Sequence, residues 1–172
     1  DTSAASASAT FTLTVLNANA TPAPPTSIPA QTATEGVSYG YTVPQFSDLD
    51  GDALTYTFSG LPSWLTVPYP AQNPRYLAGK APFTVSSATT NRVYTITVTA
   101  RDPSGAQANK AFNLTVLNAN GPPVPPASIP ALNASEGVSF SYTLPQFTDP
   151  DADTLTYTFS GLPSWLTVPY PA

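Results

Sequence analysis

An internal repeat constrains this chain more than any other feature of its sequence. Residues 27–71 recur without a gap at residues 128–172, and residues 11–19 recur at 112–120, so one repeat is 101 residues long. A repeat of domain size in a chain of 172 residues indicates consecutive copies of one domain rather than one larger fold. The chain therefore holds one complete copy and parts of two others.

Two proline-rich segments divide the copies. Residues 21–25 (TPAPP) and 121–126 (GPPVPP) predict extended, stiff linkers, because proline fixes φ and keeps the residue before it extended. We expect the C-terminal strand of a preceding repeat at 1–20, one complete domain at 26–120, and the N-terminal half of the next repeat at 127–172. Neither partial copy contains a counterpart of residues 72–101, so we expect the chain to be a window on a longer array.

Apolar residues alternate with small or polar residues within each copy. This period of two is typical of half-buried strands, and it occurs at residues 37–43, 54–58, 94–100 and 112–116. Gly and Pro clusters separate these segments, and no helical pattern of useful length is present. We predict an all-β Greek-key sandwich of about seven short antiparallel strands in two sheets. The residues predicted to be buried are Tyr56, Phe58, Trp64, Ile96, Val98, Leu114 and Val116.

The composition excludes several classes of function. The net charge is −5 and only 9% of residues are charged, which argues against nucleic acid as a partner. The chain has no Cys, Met or His, so thiolate zinc sites, Cys nucleophiles and disulfides are absent, and no apolar run is long enough to span a membrane. Because any general base would be a carboxylate in a repeated loop, we predict no enzymatic activity.

Six motifs follow one another in a fixed order along the complete copy. They are Thr34-Glu35-Gly36, Asp48-Leu49-Asp50-Gly51-Asp52, Leu54-Thr55-Tyr56, residues 60–65 (GLPSWL), residues 94–102 (YTITVTARD) and residues 112–116 (FNLTV). This order resembles the dystroglycan-type cadherin-like domains of the cadherin superfamily and the related immunoglobulin-like repeats of bacterial and fungal surface proteins. The resemblance implies an extracellular or cell-surface location, adhesion, calcium-stiffened rods and, in some members, polysaccharide binding.

The resemblance also implies calcium at the junctions between copies. Calcium takes six to eight oxygen ligands, and the acidic loop at 48–52 recurs at 149–153. In the family, an acid pair, a Glu near the first strand, linker positions and an Asp after the sixth strand meet at such a junction. The implied ligands are Asn17, Asn19, Asp48, Asp50 and Asp102 at the first junction, and Glu35, Asn118, Asn120, Asp149 and Asp151 at the second.

Two departures from the family pattern keep an alternative open. Asparagines stand at linker positions where the family often has acids, and Thr90-Asn91-Arg92 replaces an acidic cluster. The alternative is that the aspartates form Asx turns before a strand and bind no ion.

Two functions fit these features. Near-identical repeats and stiff prolines favour a non-enzymatic structural protein, a semi-rigid stalk or filament for surface attachment whose copies associate laterally or end to end. The alternative is an adhesin module that binds carbohydrate or another cell-surface ligand. For that alternative Tyr69 and Tyr76 are candidate platforms, whereas Trp64 and Trp165 favour core packing because apolar residues flank them. Threonines on the outward strand faces (Thr55, Thr57, Thr95, Thr97 and Thr99) leave a flank of low charge suited to lateral packing.

Overall fold

The computed structural model describes residues 4, 6–86 and 90–169. Seven strands and no helix are found in them, and all seven strands lie inside the predicted complete copy. They are β1 (Gln31–Thr34), β2 (Ser38–Thr42), β3 (Thr55–Ser59), β4 (Leu65–Thr66), β5 (Tyr76–Lys80), β6 (Arg92–Arg101) and β7 (Gln107–Leu117). The first residues predicted for the partial copy at 1–20 and the last residues of 127–172 lie outside the described residues.

The strands form two sheets. One has the order β1-β7-β6-β3 and the other the order β2-β5-β4. The prediction of an all-β sandwich of two sheets is confirmed, but the expectation that every pair is antiparallel is wrong. β1 runs parallel to β7, with Gln31 opposite Leu114. The pairing is parallel because the chain enters the sandwich along β1 and leaves it along β7 in the same direction, which places the two linkers at opposite ends.

The core follows the predicted alternation most closely in the two longest strands. Ile96 and Val98 of β6 and Leu114 and Val116 of β7 are fully buried. Three other predicted core residues are only half-buried: Tyr56 and Phe58 lie on the edge strand β3, and Trp64 lies in the turn before β4. The Trp64 ring packs edge-on against Tyr39, with ring centroids 6.4 Å apart, as core packing requires.

One end of a predicted strand is misplaced. Val37 is 56% exposed and lies in the turn before β2 rather than on its inward face. The turn depends on Gly36, whose φ is +70°, and an added Cβ would lie 2.4 Å from Cζ of Phe83. Because the chain reverses at this glycine, the inward alternation of β2 begins at Tyr39.

The flanking segments behave differently from the sandwich. Outside 31–117, the described residues form single bridges but no strand. Residues 11–16, expected to belong to the last strand of a preceding repeat, match the end of β7, yet Phe11 is 87% exposed. β7 pairs with β1 and β6, and the chain contains no counterpart of those strands for this segment.

The predicted threonine face also differs in part. Thr55, Thr57 and Thr95 are exposed as expected, while Thr97 and Thr99 are half-buried. They lie on β6, which is covered on both edges by β3 and β7. The uncharged outward face is therefore narrower than the sequence indicates.

Candidate metal centre at the repeat junctions

The acidic loop before β3 lies against the residues of the first linker. Asn17 Nδ2 donates a hydrogen bond to Asp50 Oδ1 at 3.1 Å, and the backbone N–H of Ala20 donates to Asp50 Oδ2 at 2.6 Å. Asn19 Nδ2 donates to Oδ2 of Asp102, which directly follows β6, at 2.9 Å. The structure thus brings the predicted residues of the first junction to one end of the sandwich.

Three carboxylates from this end converge. Oxygen atoms of Asp48, Asp52 and Asp102 lie within 4.8 Å of one another. Asp48 Oδ1 accepts the N–H of Asp50 at 2.9 Å in an Asx turn, but Asp48 Oδ2 is buried and accepts no hydrogen bond. Anionic oxygens this close repel one another, and hard cations such as calcium bind such oxygens.

Asp52 was not among the predicted ligands, although Asp50 was. The only signal in the sequence was the cluster of acids at 48, 50 and 52, which does not say which of them converge. Asp50 points instead to the linker, where Asn17 and Ala20 occupy its oxygens. The Asx turn and the convergence of acids therefore occur in the same loop.

The pKa values of two carboxyls in the cluster move in opposite directions. Desolvation, with the charges of Asp48, Asp102 and Asp50 adding to it, raises the pKa of Asp52. The hydrogen bond from Asn19 lowers the pKa of Asp102 against a smaller effect of desolvation, and backbone N–H groups of the following turn assist. Asp102 is thus held ionised, while Asp52 is the group that a nearby cation would stabilise most.

The second junction repeats the loop. Gly121 N–H donates to Asp151 Oδ2 at 2.6 Å, and Asp151 N–H donates to Asp149 Oδ1 at 2.8 Å. In the orientation that satisfies both of its neighbours, the Asn118 amide nitrogen lies 2.8 Å from Asp151 Oδ1 and 3.0 Å from Glu35 Oε2. Asn120 differs from the prediction, because its amide donates to the Gly121 carbonyl at 3.4 Å and, among the described residues, to no carboxylate.

Glu35 is 1% exposed and follows β1 directly. Its Oε1 accepts the N–H groups of Val85 (2.9 Å) and Ser86 (2.7 Å) from the loop after β5, and its Oε2 accepts the N–H of Ala119 (3.2 Å) from the second linker. Together with Asn118, these donors satisfy the buried charge without an ion.

The candidate aromatic platforms lie away from both junctions. Tyr69 is 56% exposed and stacks on the half-buried Tyr76, with centroids 6.2 Å apart and an interplanar angle of 17°. A groove of about 630 Å³ lies beside them, between β3 and the loop at 67–74. Its lining is mostly apolar and includes Tyr56, Phe58 and Pro70.

The sandwich, with its first and last strands leading to linkers at opposite ends, defines an immunoglobulin-like module. The family model described as "Putative Ig domain" matches residues 21–117 and again residues 122–169. The chain belongs to this family, which confirms the predicted resemblance. Within the described residues, no helix is long and apolar enough to cross a membrane.

Several solved structures are similar to this chain in fold. They include the SrpA adhesin from Streptococcus sanguinis (17% identity, 62% of this chain and 66% of that chain, TM-score 0.43) and protocadherin gamma B2 cadherin domains (19% identity, 59% and 23%, TM-score 0.38). An endo-fucoidan hydrolase of glycoside hydrolase family 107 is 20% identical over 54% of this chain, with a TM-score of 0.42, and the chain spans only 13% of it. No curated protein matches the chain.

Proposed function

We propose that this chain is part of a non-enzymatic, extracellular structural protein of the adhesion type, in which consecutive repeats form a semi-rigid stalk or filament. The observation that carries this proposal is the segment 119–121, where the complete domain meets the second linker, which is hydrogen-bonded on both sides. Ala119 donates to Glu35 of the sandwich behind it, and Gly121 donates to Asp151 of the loop ahead. A linker held at both ends does not act as a free hinge.

Backbone bridges between each linker and the loop ahead of it support the same conclusion. Ala23 and Ser47 exchange both backbone hydrogen bonds, at 2.7 and 3.0 Å, and Val124 and Thr148 do so at the same distances. Each linker is therefore pinned to the loop ahead of it by an isolated bridge within a stiff proline segment. The division of the array at 21–25, 26–120 and 121–126 is part of the proposal.

Calcium is the proposed cofactor. At the first junction Asp48, Asp52 and Asp102 would hold the ion, which would neutralise their repulsion, while Asn17, Asn19 and Asp50 position the linker. The buried Asp48 Oδ2 without a hydrogen-bond partner supports this assignment. The sequence also predicts an ion at the second junction, held by Glu35, Asn118, Asn120, Asp149 and Asp151. Among the described residues, three carboxylates converge only at the first junction, so we propose calcium there alone.

Calorimetric titration tests the calcium proposal. We expect the chain to bind calcium and the Asp52→Asn variant to lose that binding, and we expect calcium to raise the melting temperature because it binds the folded state alone. If neither heat of binding nor a shift in melting temperature is observed, the acidic loops are turns and nothing more.

Electron microscopy of an array of at least four repeats tests the stalk. A sandwich with strands of seven or eight residues and an extended linker predicts an axial rise on the order of 45–60 Å per repeat. A straight or gently curved rod with this spacing supports the proposal, and compact particles or beads joined at random angles contradict it. The same images show whether rods associate laterally or end to end.

A second candidate function is binding of a carbohydrate or cell-surface ligand. The exposed Tyr69 ring, stacked on Tyr76 beside an apolar groove, favours it, because sugars stack on flat aromatic faces. A glycan-array screen with the chain and its Tyr69→Ala variant tests this function. A glycan that the chain binds and the variant does not would support it.

A further inference from the structure

At the second junction, carboxylates from two different repeats face one amide group. Glu35 belongs to the sandwich and Asp151 to the loop of the next copy. In the amide orientation that satisfies both carboxylates, the nitrogen of Asn118 lies within 3.0 Å of an oxygen of each. We propose that this amide, and not a bound cation, joins the two repeats, so that their interface is complete without metal. The proposed calcium site at Asp48, Asp52 and Asp102 is a separate contact, and neither proposal requires the other.

The chemistry of the amide suits this position. A carboxamide NH₂ has two N–H donors, and here one points to each carboxylate. Hydrogen bonds to ionised acceptors are roughly twice as strong as neutral ones, so the pair of bonds offsets the repulsion between the two acids. A cation placed between them would displace this nitrogen, and the other oxygen of Glu35 already accepts from Val85 and Ser86.

Backbone donors of the linker complete the contact. Ala119 N–H points back to Glu35 and Gly121 N–H points forward to Asp151, so residues two apart serve opposite sides. Each carboxylate therefore receives one bond from the Asn118 side chain and at least one from the linker backbone. On each side these donors bind one carboxylate, Glu35 or Asp151. The two copies are therefore fixed relative to each other through residues 118–121.

An apolar contact excludes water from this region. Phe83, in the loop after β5, lies over Gly121, and the next copy's Pro150 lies on the same glycine. A Cβ added to Gly121 would be 3.0 Å from Phe83 Cβ and 3.1 Å from Pro150 Cγ. Gly121 is buried, and hydrogen bonds in such surroundings are electrostatically stronger than in water.

The first junction repeats the contacts made with the acidic loop that follows the linker. Asn17 donates to Asp50, and Ala20 donates to Asp50 Oδ2 at 2.6 Å, the distance found for Gly121 and Asp151. The chain has no counterpart of Glu35 before Asn17. Asn17 and Ala20 therefore contact the acidic loop ahead of them as Asn118 and Gly121 do. Asn118 faces two acids, Glu35 and Asp151, whereas Asn17 faces Asp50 alone.

Hydrogen exchange of the Ala119 and Gly121 amides, measured by NMR on the whole chain, tests the proposal. In chelator we expect both amides to exchange at least about tenfold more slowly than in the open chain, because each donates to an ionised carboxylate. Asn118→Asp keeps the shape but places a third carboxylate between Glu35 and Asp151. It should abolish the protection of Gly121 in chelator, and added calcium should restore it.

Asn113→Asp is the control for the added charge, because Asn113 lies on the exposed face of β7, where its Oδ1 accepts the Thr95 hydroxyl at 3.1 Å, and it is not part of the junction. It should leave the protection of Gly121 unchanged. If the wild-type Gly121 amide exchanges freely in chelator and becomes protected only with calcium, an ion holds the junction and the proposal is wrong. The wild-type measurement tests the proposal even if Asn118→Asp does not fold. The separate calcium proposal is tested by the titration of the Asp52→Asn variant.

Discussion

Two segments of this chain have the same sequence but differ in whether they pair into sheets. Residues 54–71 and 155–172 are identical, yet the first contains β3 and β4, and the described part of the second, 155–169, contains no strand. Trp64 is half-buried and packs edge-on against Tyr39; its counterpart Trp165 packs edge-on against Phe140, with centroids 6.3 Å apart, yet is 62% exposed. The residues of the segment therefore do not by themselves determine whether it forms strands.

The pairing of the strands explains the difference. Each strand in the first half of the sandwich pairs with a strand of its second half: β1 with β7, β2 and β4 with β5, and β3 with β6. The chain contains no second copy of β5, β6 or β7 after residue 127. Without these partners the backbone groups bond to water, and the apolar area buried does not offset the entropy of ordering the chain.

The acidic loops are alike in both copies, in contrast to the sheets. The hydroxyl of Tyr56 accepts the N–H of Phe46 at 3.2 Å, and Tyr157 accepts that of Phe147 at the same distance. The Asx turn and the bridge to the linker also recur. These contacts join residues that lie close in sequence, so they form whether or not the sandwich is complete.

The largest expected difference between the copies is at a glycine. Gly60 has φ +77°, and an added Cβ would lie 2.3 Å from the Thr95 carbonyl, whereas Gly161 has φ +70° and no atom within 4 Å of that position. Gly60→Ala should lower the free energy of unfolding of the sandwich by about 3–4 kcal/mol, and Gly161→Ala by less than about 0.5 kcal/mol. Equal shifts in urea denaturation would show that the copies have the same structure.

The tryptophans give a smaller difference. Trp64→Ala removes a half-buried ring and should cost about 2–3 kcal/mol, because both its transfer from water and its contact with Tyr39 are lost. Trp165→Ala should leave the unfolding of the sandwich unchanged within error. Thermal unfolding of the two variants measures this, and destabilisation by Trp165→Ala would indicate that the second copy is folded.

The glutamates give the next difference. Glu35→Gln replaces an ionised acceptor of several hydrogen bonds and turns an N–H group toward donors, so we expect a loss of about 1.5–3 kcal/mol. Glu136, its counterpart, is exposed, and Glu136→Gln should have no effect on the sandwich. Chemical denaturation of both variants at neutral pH is the measurement, and similar stabilities for the two would contradict the role given to Glu35.

The sequence predicted what depends on neighbouring residues. The alternation of β6 and β7 placed Ile96 and Leu114 in the core, and the resemblance to cadherin-like domains grouped Asn and Asp residues at two junctions. It could not predict the parallel pairing of β1 with β7, because that pairing depends on the path of the whole chain. Nor could it predict the donors to Glu35, since Val85 is 50 residues away and lies in a loop without a motif.

The sequence also did not predict the direction in which two side chains leave the backbone. Val37 and Asp50 are both placed by local turns, at Gly36 and in the Asx turn of Asp48. An alternating pattern assumes an extended backbone, and both residues lie where the backbone is not extended. This is why Val37, at the start of a predicted strand, is exposed and one predicted ligand contacts the linker.

Titration gives the smallest expected effect. The pKa of Asp102 is lowered by Asn19, so its contribution to stability is present above its unfolded pKa and is lost as the pH falls through the folded value. The pKa of Asp52 is raised, so the folded state gains stability as the pH falls through that value. In chelator, Asp102→Asn should weaken the acid destabilisation, whereas Asp52→Asn should stabilise at neutral pH. Asp153→Asn in the second copy is the control. If none of these three substitutions alters the dependence of stability on pH, the assignment is wrong.

Completing the second copy tests the central comparison most directly. A chain extended after Ala172 by a copy of residues 72–120 provides the missing counterparts of β5, β6 and β7, and Trp64→Phe in that chain leaves Trp165 as its single tryptophan. We predict that Trp165 fluorescence shifts to shorter wavelength on extension and that a second cooperative unfolding transition appears, because residues 127–172 then pair as 26–71 do. If Trp165 keeps the emission of a solvent-exposed indole in the extended chain, strand pairing with the second half of the repeat is not what distinguishes the two copies.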